Sequence, residues 1–144
     1  MRWIECDQGD ASKFIEGLVS KRLDDNLFGY IELWENSDGS QFIIVRLSNG
    51  TNSKHEFVTI LTLYDDNNNS IDSTTWKQNI GMSLYGSVER SKCFRLSDDD
   101  SLIDNFSDGN IEVAWSVEEN DPIAVGIRKI VVETIKKLAK DALE

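Results

Sequence analysis

Residues 28–47 read FGYIELWENSDGSQFIIVRL, and this stretch predicts a β-hairpin. Its first half, residues 28–34, is rich in the aromatic and branched side chains that favour strands. The segment Ser37-Asp38-Gly39-Ser40 then supplies a turn signal. The second half, residues 41–47, is apolar on both faces for most of its length. Such a strand is buried on both sides, so we expect it at the centre of a sheet that a helix covers.

Two further strands are predicted on the C-terminal side of this hairpin. Residues 56–64 read EFVTILTLY and follow a short polar loop, so the three strands are expected to form an antiparallel meander. Residues 111–118 alternate strictly, which indicates a half-buried strand whose inward side chains are Ile111, Val113, Trp115 and Val117. Between these strands, the pattern predicts a polar loop over 65–75, one or two bent strands over 76–96, and mostly loop over 97–110.

A helix is predicted at each end of the chain. Asp10 is a good N-cap for residues 10–24, in which the apolar residues recur at helical spacing, namely Phe14, Ile15, Leu18, Val19 and Leu23. Asp121 is a second N-cap, and Pro122 takes the first helical position, where its missing N–H costs nothing. An apolar stripe continues from Ile123 to Ala142, so we expect a long helix over residues 122–142.

The expected fold class is therefore α+β. It consists of an antiparallel β-sheet meander with an N-terminal helix and a long C-terminal helix packed on it. The chain has 144 residues, the usual size of one domain, and no internal repeat or linker divides it. We therefore expect a single domain over residues 1–144.

The net charge and the positions of the cysteines limit the classes of protein to which this chain can belong. The chain has 15 Lys and Arg against 26 Asp and Glu, a net charge of −11, which argues against direct binding to nucleic acid or to an anionic membrane. Cys6 and Cys93 lie far apart and in no C-x-x-C motif, so a disulfide framework is not expected. The N-terminal residues contain no apolar run typical of a signal peptide, and we expect a cytoplasmic protein.

No residue pattern predicts a catalytic, cofactor or metal site. His55 is the only histidine, and Cys6 and Cys93 lack a neighbouring base, so these three are expected to be ordinary core or surface residues. A calcium loop starting at Asp65 would need Gly at its sixth position and Glu at its twelfth, where Ser70 and Trp76 stand. The sequence thus predicts a protein that is not an enzyme and has no cofactor.

The distribution of charge favours a binding role. Lys and Arg are absent from Leu96 to Ile127, a stretch that is rich in Asp and Glu. One interpretation is a functional acidic surface that steers a basic partner, and the other is a set of simply hydrated loops. For the first we expect Phe106 to be an apolar anchor and five carboxylates to act mainly through steering: Asp98, Asp99, Asp100, Asp104 and Asp108.

In size, acidity, missing catalytic residues and a helix–meander–helix pattern ending at Asp121-Pro122, the chain resembles small bacterial immunity proteins of polymorphic and contact-dependent toxin systems. It is similar in particular to the immunity partners of wall-associated toxins, whose toxic end resembles a tRNA-cleaving nuclease. The resemblance implies a cytoplasmic antitoxin that blocks the basic cleft of a toxin nuclease. The pattern covers the whole chain but includes no motif, so it transfers no binding residue.

A secretion chaperone that binds an effector protein is the alternative. Chaperones of this kind are also small, acidic and of mixed fold, but they need a large exposed apolar groove. Few strongly apolar residues lie outside the predicted core faces, with Trp76 and Tyr85 the exceptions. An enzyme that needs no cofactor is the least favoured of the three hypotheses.

Overall fold

A computed structural model describes residues 3–7, 9, 11–37, 39–82, 84–96 and 108–120. Within these ranges the chain forms eight β-strands and a turn of 3₁₀ helix at Asp108–Asn110. The strands are β1 Trp3–Cys6, β2 Lys13–Asp24, β3 Leu27–Glu35, β4 Gln41–Asn49, β5 His55–Tyr64, β6 Ser70–Ile80, β7 Val88–Leu96 and β8 Ile111–Glu119.

The eight strands form two antiparallel sheets. The larger sheet has the strand order β1-β7-β4-β3-β2, and the smaller has the order β6-β5-β8. Apolar side chains from both sheets make one buried cluster, to which β3, β4 and β5 contribute alternate residues such as Ile31, Val45 and Phe57. The sheets therefore pack face to face as a β-sandwich, because each buries one apolar face against the other.

The predicted hairpin over residues 28–47 is confirmed, but the meander is wrong. β3 pairs with β4 from Leu27↔Asn49 to Glu35↔Gln41. β4 then pairs with β7 rather than β5, and β5 belongs to the other sheet. The segment 76–96 contains the last five residues of β6 and all of β7, and β7 takes the place beside β4 that the meander assigned to β5.

The predicted helix over residues 10–24 is also wrong, because these residues include β2. The β2–β3 register slips by one residue at three places, near Ile15, Leu18 and Leu23. Each slip adds one residue to β2 and shifts which side chains face inward. Apolar residues therefore recur every three or four positions along a bulged strand, and this spacing imitates an amphipathic helix.

The α+β class is consequently wrong for the described residues, whose regular structure is β apart from short 3₁₀ turns. The helix predicted over residues 122–142 lies outside the described residues. No helix among the described residues is long and apolar enough to cross a membrane.

Cys6 and Cys93 form a disulfide, contrary to the sequence interpretation. They are direct cross-strand partners in the β1–β7 pair, with their Cα atoms 5.2 Å apart. Cys93 is 2% exposed and packs with Phe42 and Ile44 on the outer face of the larger sheet. Spacing along the chain carries no information about this pairing, which only the register of two distant strands creates.

Candidate protein-interaction face

Five of the six predicted partner-binding residues lie outside the described residues: Asp98, Asp99, Asp100, Asp104 and Phe106. The sixth, Asp108, begins the 3₁₀ turn that leads into β8. Buried Asn110 ends this turn, and its Nδ2 donates to the carbonyl of Tyr64 at 3.1 Å and to Asp66 Oδ1 at 3.2 Å. The C-terminal part of the cation-free stretch is thereby attached to the end of β5.

Two carboxylates of that stretch stand on one side of β8. Its burial alternates along the strand, and the predicted inward residues Ile111, Val113, Trp115 and Val117 are half-buried against the core, which confirms the prediction. Glu112 and Glu118 are exposed on the opposite side. Two acidic residues of the stretch therefore stand on the outer face of the smaller sheet.

We call the outward side chains of the smaller sheet the acidic face. It holds three carboxylates and one ammonium group among the described residues. Its members are Glu56, Val58, Ile60, Thr62 and Tyr64 of β5, Ser73, Thr75, Lys77 and Asn79 of β6, and Glu112, Ala114, Ser116 and Glu118 of β8.

Glu56 and Glu118 face each other directly across the β5–β8 pair. Like charges in this position destabilise a sheet, because their side chains start only about 5 Å apart. The other neighbour of Glu56 is Asn79, which is neutral. The row formed by Glu118, Glu56 and Asn79 thus concentrates negative charge at one end of the acidic face.

Tyr64 and Glu112 occupy the opposite end of the acidic face. The Tyr64 hydroxyl donates a hydrogen bond to Glu112 Oε2 at 2.6 Å. This bond raises the pKa of Tyr64 above its ordinary value of 10.0, and desolvation and the carboxylate charge act in the same direction. The phenol and the carboxylate therefore form one hydrogen-bonded unit.

An exposed isoleucine lies between these two ends. Ile60 is 40% exposed and has small neighbours across both strand pairs, Thr75 on β6 and Ala114 on β8. Protein interfaces commonly combine an apolar centre with a polar rim. The acidic face has this arrangement, with Ile60 at the centre and carboxylates towards both ends.

The outer face of the larger sheet has a different electrostatic character. There Arg46 lies 3.3 Å from Glu32 and 3.0 Å from Glu89, and its guanidinium stands 4.2 Å from the ring centroid of Tyr30. Glu32 and Glu89 thus stand beside a cation, whereas Glu56 faces the carboxylate of Glu118.

His55 takes part in the hydrogen-bond network of the β4–β5 loop. His55 Nδ1 lies 3.0 Å from the carbonyl of Ser53, which can only accept, so Nδ1 carries the hydrogen. The Thr51 hydroxyl, 3.3 Å from the same nitrogen, lies 2.7 Å from the buried acceptor Asn49 Oδ1. Nδ1 therefore cannot take a proton from Thr51, and the network stabilises the loop between β4 and β5.

The loop that starts at Asp65, which the sequence analysis compared with a calcium loop, is closed by hydrogen bonds within the loop itself. Asp65 Oδ1 accepts the backbone N–H groups of Asn67 and Asn69, each at 2.9 Å. Among the described residues, no three His, Cys, Asp or Glu side chains come together in a group that could hold a metal ion. Asp65 thus acts as a turn-forming residue.

A shallow groove of about 140 Å³ lies beside β2 and β3. Its lining residues are Gly17, Leu18, Val19, Ser20, Tyr30 and Glu32. Pockets for drug-sized molecules have volumes of roughly 300–1,000 Å³. The groove is therefore too small to hold a typical cofactor.

Comparison with protein-family models, with curated proteins and with solved structures gives no match to this chain. Sequence reasoning found the outward position of Glu112 and Glu118 but missed Glu56 and Ile60. A strictly alternating segment reveals its own faces, but nothing local reveals that β5 pairs with β8. The acidic face is a product of that pairing.

Proposed function

We propose that this protein is a cytoplasmic immunity protein that binds a basic toxin nuclease and blocks its cleft through the acidic face. The observation that carries the proposal is the direct opposition of Glu56 and Glu118 beside exposed Ile60. A partner that places a guanidinium or ammonium group between the two carboxylates relieves their repulsion. Binding then replaces a like-charge contact by an attractive one.

The chemistry of nucleases fits this face. A nuclease that cleaves RNA must present cations to the phosphates of its substrate. A surface of carboxylates competes for those cations, and the attraction between opposite charges speeds association. Ile60 adds apolar contact area between the charged ends, which electrostatic attraction alone does not provide.

A secretion chaperone remains the alternative hypothesis, but the exposed apolar residues do not favour it. Of the two residues singled out for it, Trp76 is 8% exposed and part of the core, and Tyr85 lies in a loop. The exposed large apolar side chains among the described residues stand on β2, on β5 and in the β6–β7 segment. They do not form one continuous groove on either sheet.

The first experiment identifies the partner. The tagged chain is purified from its native cell, and the bound protein is expressed alone and assayed for RNA cleavage. We expect a basic protein whose nuclease activity disappears when one equivalent of the chain is added. An acidic partner, or a nuclease that stays fully active in the complex, would contradict the proposal.

The second experiment tests the acidic face in that complex. The double substitution Glu56→Gln and Glu118→Gln keeps side-chain size and removes two charges. We expect association to slow by about tenfold at low salt and to approach the wild-type rate at high salt, because steering is screened. The matched control is Glu16→Gln with Glu35→Gln, the same charge change on β2 and β3 at the opposite end of the other sheet. Equal slowing by both pairs would show an effect of net charge alone.

The disulfide provides a test of the cytoplasmic location. Glutathione keeps cytosolic thiols reduced, so acid quenching of living cells followed by alkylation of the denatured protein should label both Cys6 and Cys93. The bond would then form after cell lysis. A disulfide already present at the moment of trapping would place the protein in an oxidising compartment and contradict this part of the proposal.

A further inference from the structure

The segment between β6 and β7 presents large apolar side chains to solvent. Met82 is 51% exposed, Leu84 is 78% exposed and Tyr85 is 94% exposed. Single exposed apolar residues are ordinary on a protein surface, whereas clusters of them mark interaction sites. We call Met82, Leu84 and Tyr85 the apolar loop.

The apolar loop has a fixed base. Buried Asn49 donates from Nδ2 to the carbonyls of Ile80 at 3.0 Å and Gly81 at 3.3 Å, where the loop begins. Asn49 is also the register partner of Val88, where the loop ends. Asn49 thus binds the carbonyls at the start of the loop and lies opposite Val88 at its end. A loop that is already held in place loses less conformational freedom when a partner binds.

The same end of the sandwich carries the like-charge row of the acidic face. Ile80 pairs with His55, next to the pair formed by Asn79 and Glu56. The turn between β2 and β3 lies at this end too, where exposed Asp24 precedes Asp25, which forms an ion pair with Arg22. The carbonyl of Asn26 accepts the N–H of Gly50 at 2.7 Å, which attaches that turn to the β4–β5 loop.

We propose that the apolar loop is the anchor of the interface whose charged part is the Glu56–Glu118 pair, and that the partner is a basic protein with an apolar pocket beside its cationic cleft. This inference rests on the proposed function and specifies the partner surface. Glu56, Glu118 and Asp24, at this end of the sandwich, repel an anionic lipid surface and attract a cationic protein. Tyr is among the residue types that dominate binding energy when they fill a partner's pocket.

Site-specific photo-crosslinking tests the inference in the native cell. Full-length chains carry p-benzoylphenylalanine in place of Tyr85, of Ile60 or of Asn67, which lies in the exposed β5–β6 loop at the opposite end. Each chain must unfold as cooperatively as wild type. We expect positions 85 and 60 to capture the same basic protein and position 67 to capture none.

The outcomes separate the inference from the proposed function. Capture from position 60 alone overturns the apolar anchor and leaves the acidic face as the binding surface. Capture from position 85 of a lipid, of a second copy of this chain or of an acidic protein overturns the inference. Capture from neither position overturns the inference and the proposed function together.

Kinetics with the captured protein, expressed alone, supply the second readout. We expect Leu84→Ser and Tyr85→Ser each to speed dissociation at least tenfold at both low and high salt, because apolar contacts are not screened. Phe14→Ser is the matched control, since Phe14 is 49% exposed on β2 of the other sheet. Dissociation as slow as wild type in both loop variants would overturn the anchor.

Discussion

Reduction of the Cys6–Cys93 disulfide should lower the free energy of unfolding by several kcal/mol. The bond joins residues 87 positions apart and closes a loop that contains β2 to β6 entirely. In the chain-entropy model, the constraint on the unfolded chain for this loop is worth about 4.6 kcal/mol at 25 °C. Since single domains are stable by only about 5–15 kcal/mol, this is a large share of the total.

Urea unfolding with and without dithiothreitol measures the effect. With a slope of about 2 kcal/mol per molar urea, the midpoint should fall by about 2 M on reduction. Thermal unfolding should shift down by about 15 °C, from an unfolding entropy near 2.1 cal/mol/K per residue. Cys6→Ser should match the reduced protein and be insensitive to dithiothreitol, which provides the control.

A second substitution separates packing from loop closure. Cys93 is 2% exposed among Phe42 and Ile44, so Cys93→Ser buries a hydroxyl in an apolar cluster. We expect it to cost about 1–3 kcal/mol more than Cys6→Ser. A midpoint that does not move on reduction, in a protein with no free thiols before treatment, would refute the entropic reasoning.

Three further predictions concern single positions. Gly29→Ala should destabilise the sandwich by about 1–3 kcal/mol in chemical denaturation, because the added Cβ would lie 2.9 Å from Trp115 Cε2; an unchanged midpoint would mean that the indole shifts freely. Asn49→Ala should lower the free energy of unfolding by about 2–4 kcal/mol, since it removes donors and an acceptor from a buried network. It should also speed amide hydrogen exchange in the β4–β5 loop and the apolar loop. Unchanged exchange in these loops would contradict the role of Asn49 in stabilising them. Tyr64 should titrate above 10.0 by ultraviolet absorbance, and its pKa should return towards that value in Glu112→Gln. Because the pKa is raised in the folded protein, the hydrogen bond stabilises the fold below pH 10, and this stabilisation is lost as pH rises through the folded pKa. A titration midpoint of Tyr64 that Glu112→Gln leaves unchanged would exclude the hydrogen bond as the cause.

Local patterns along the chain were sufficient to predict part of the fold. The hairpin of β3 and β4 follows from two strand-forming runs around a turn segment, and β8 follows from strict alternation. In both cases the side-chain period and the turn signal lie within a few residues of the structure that they specify. The outward position of Glu112 and Glu118 was predictable for the same reason.

Bulges interrupt the two-residue side-chain period in β2. Its three register slips convert an alternating strand into one whose apolar residues stand at helical spacing, so periodicity indicated the wrong element. Only the backbone hydrogen bonds offered by the open edge of β3 decide between strand and helix there. Those bonds come from a neighbour and leave no mark on the spacing of residues 13–24.

The sequence by itself determined a chain of high negative charge, a central hairpin and the outward position of two carboxylates on β8, Glu112 and Glu118. Only the tertiary structure decided that β4 lies beside β7, that Cys6 meets Cys93 and that Glu56 stands opposite Glu118. The physical reason is that strand partners are chosen by the burial of a shared face and by hydrogen bonds between distant backbones. These energies depend on pairs of segments, whereas periodicity depends on one segment alone.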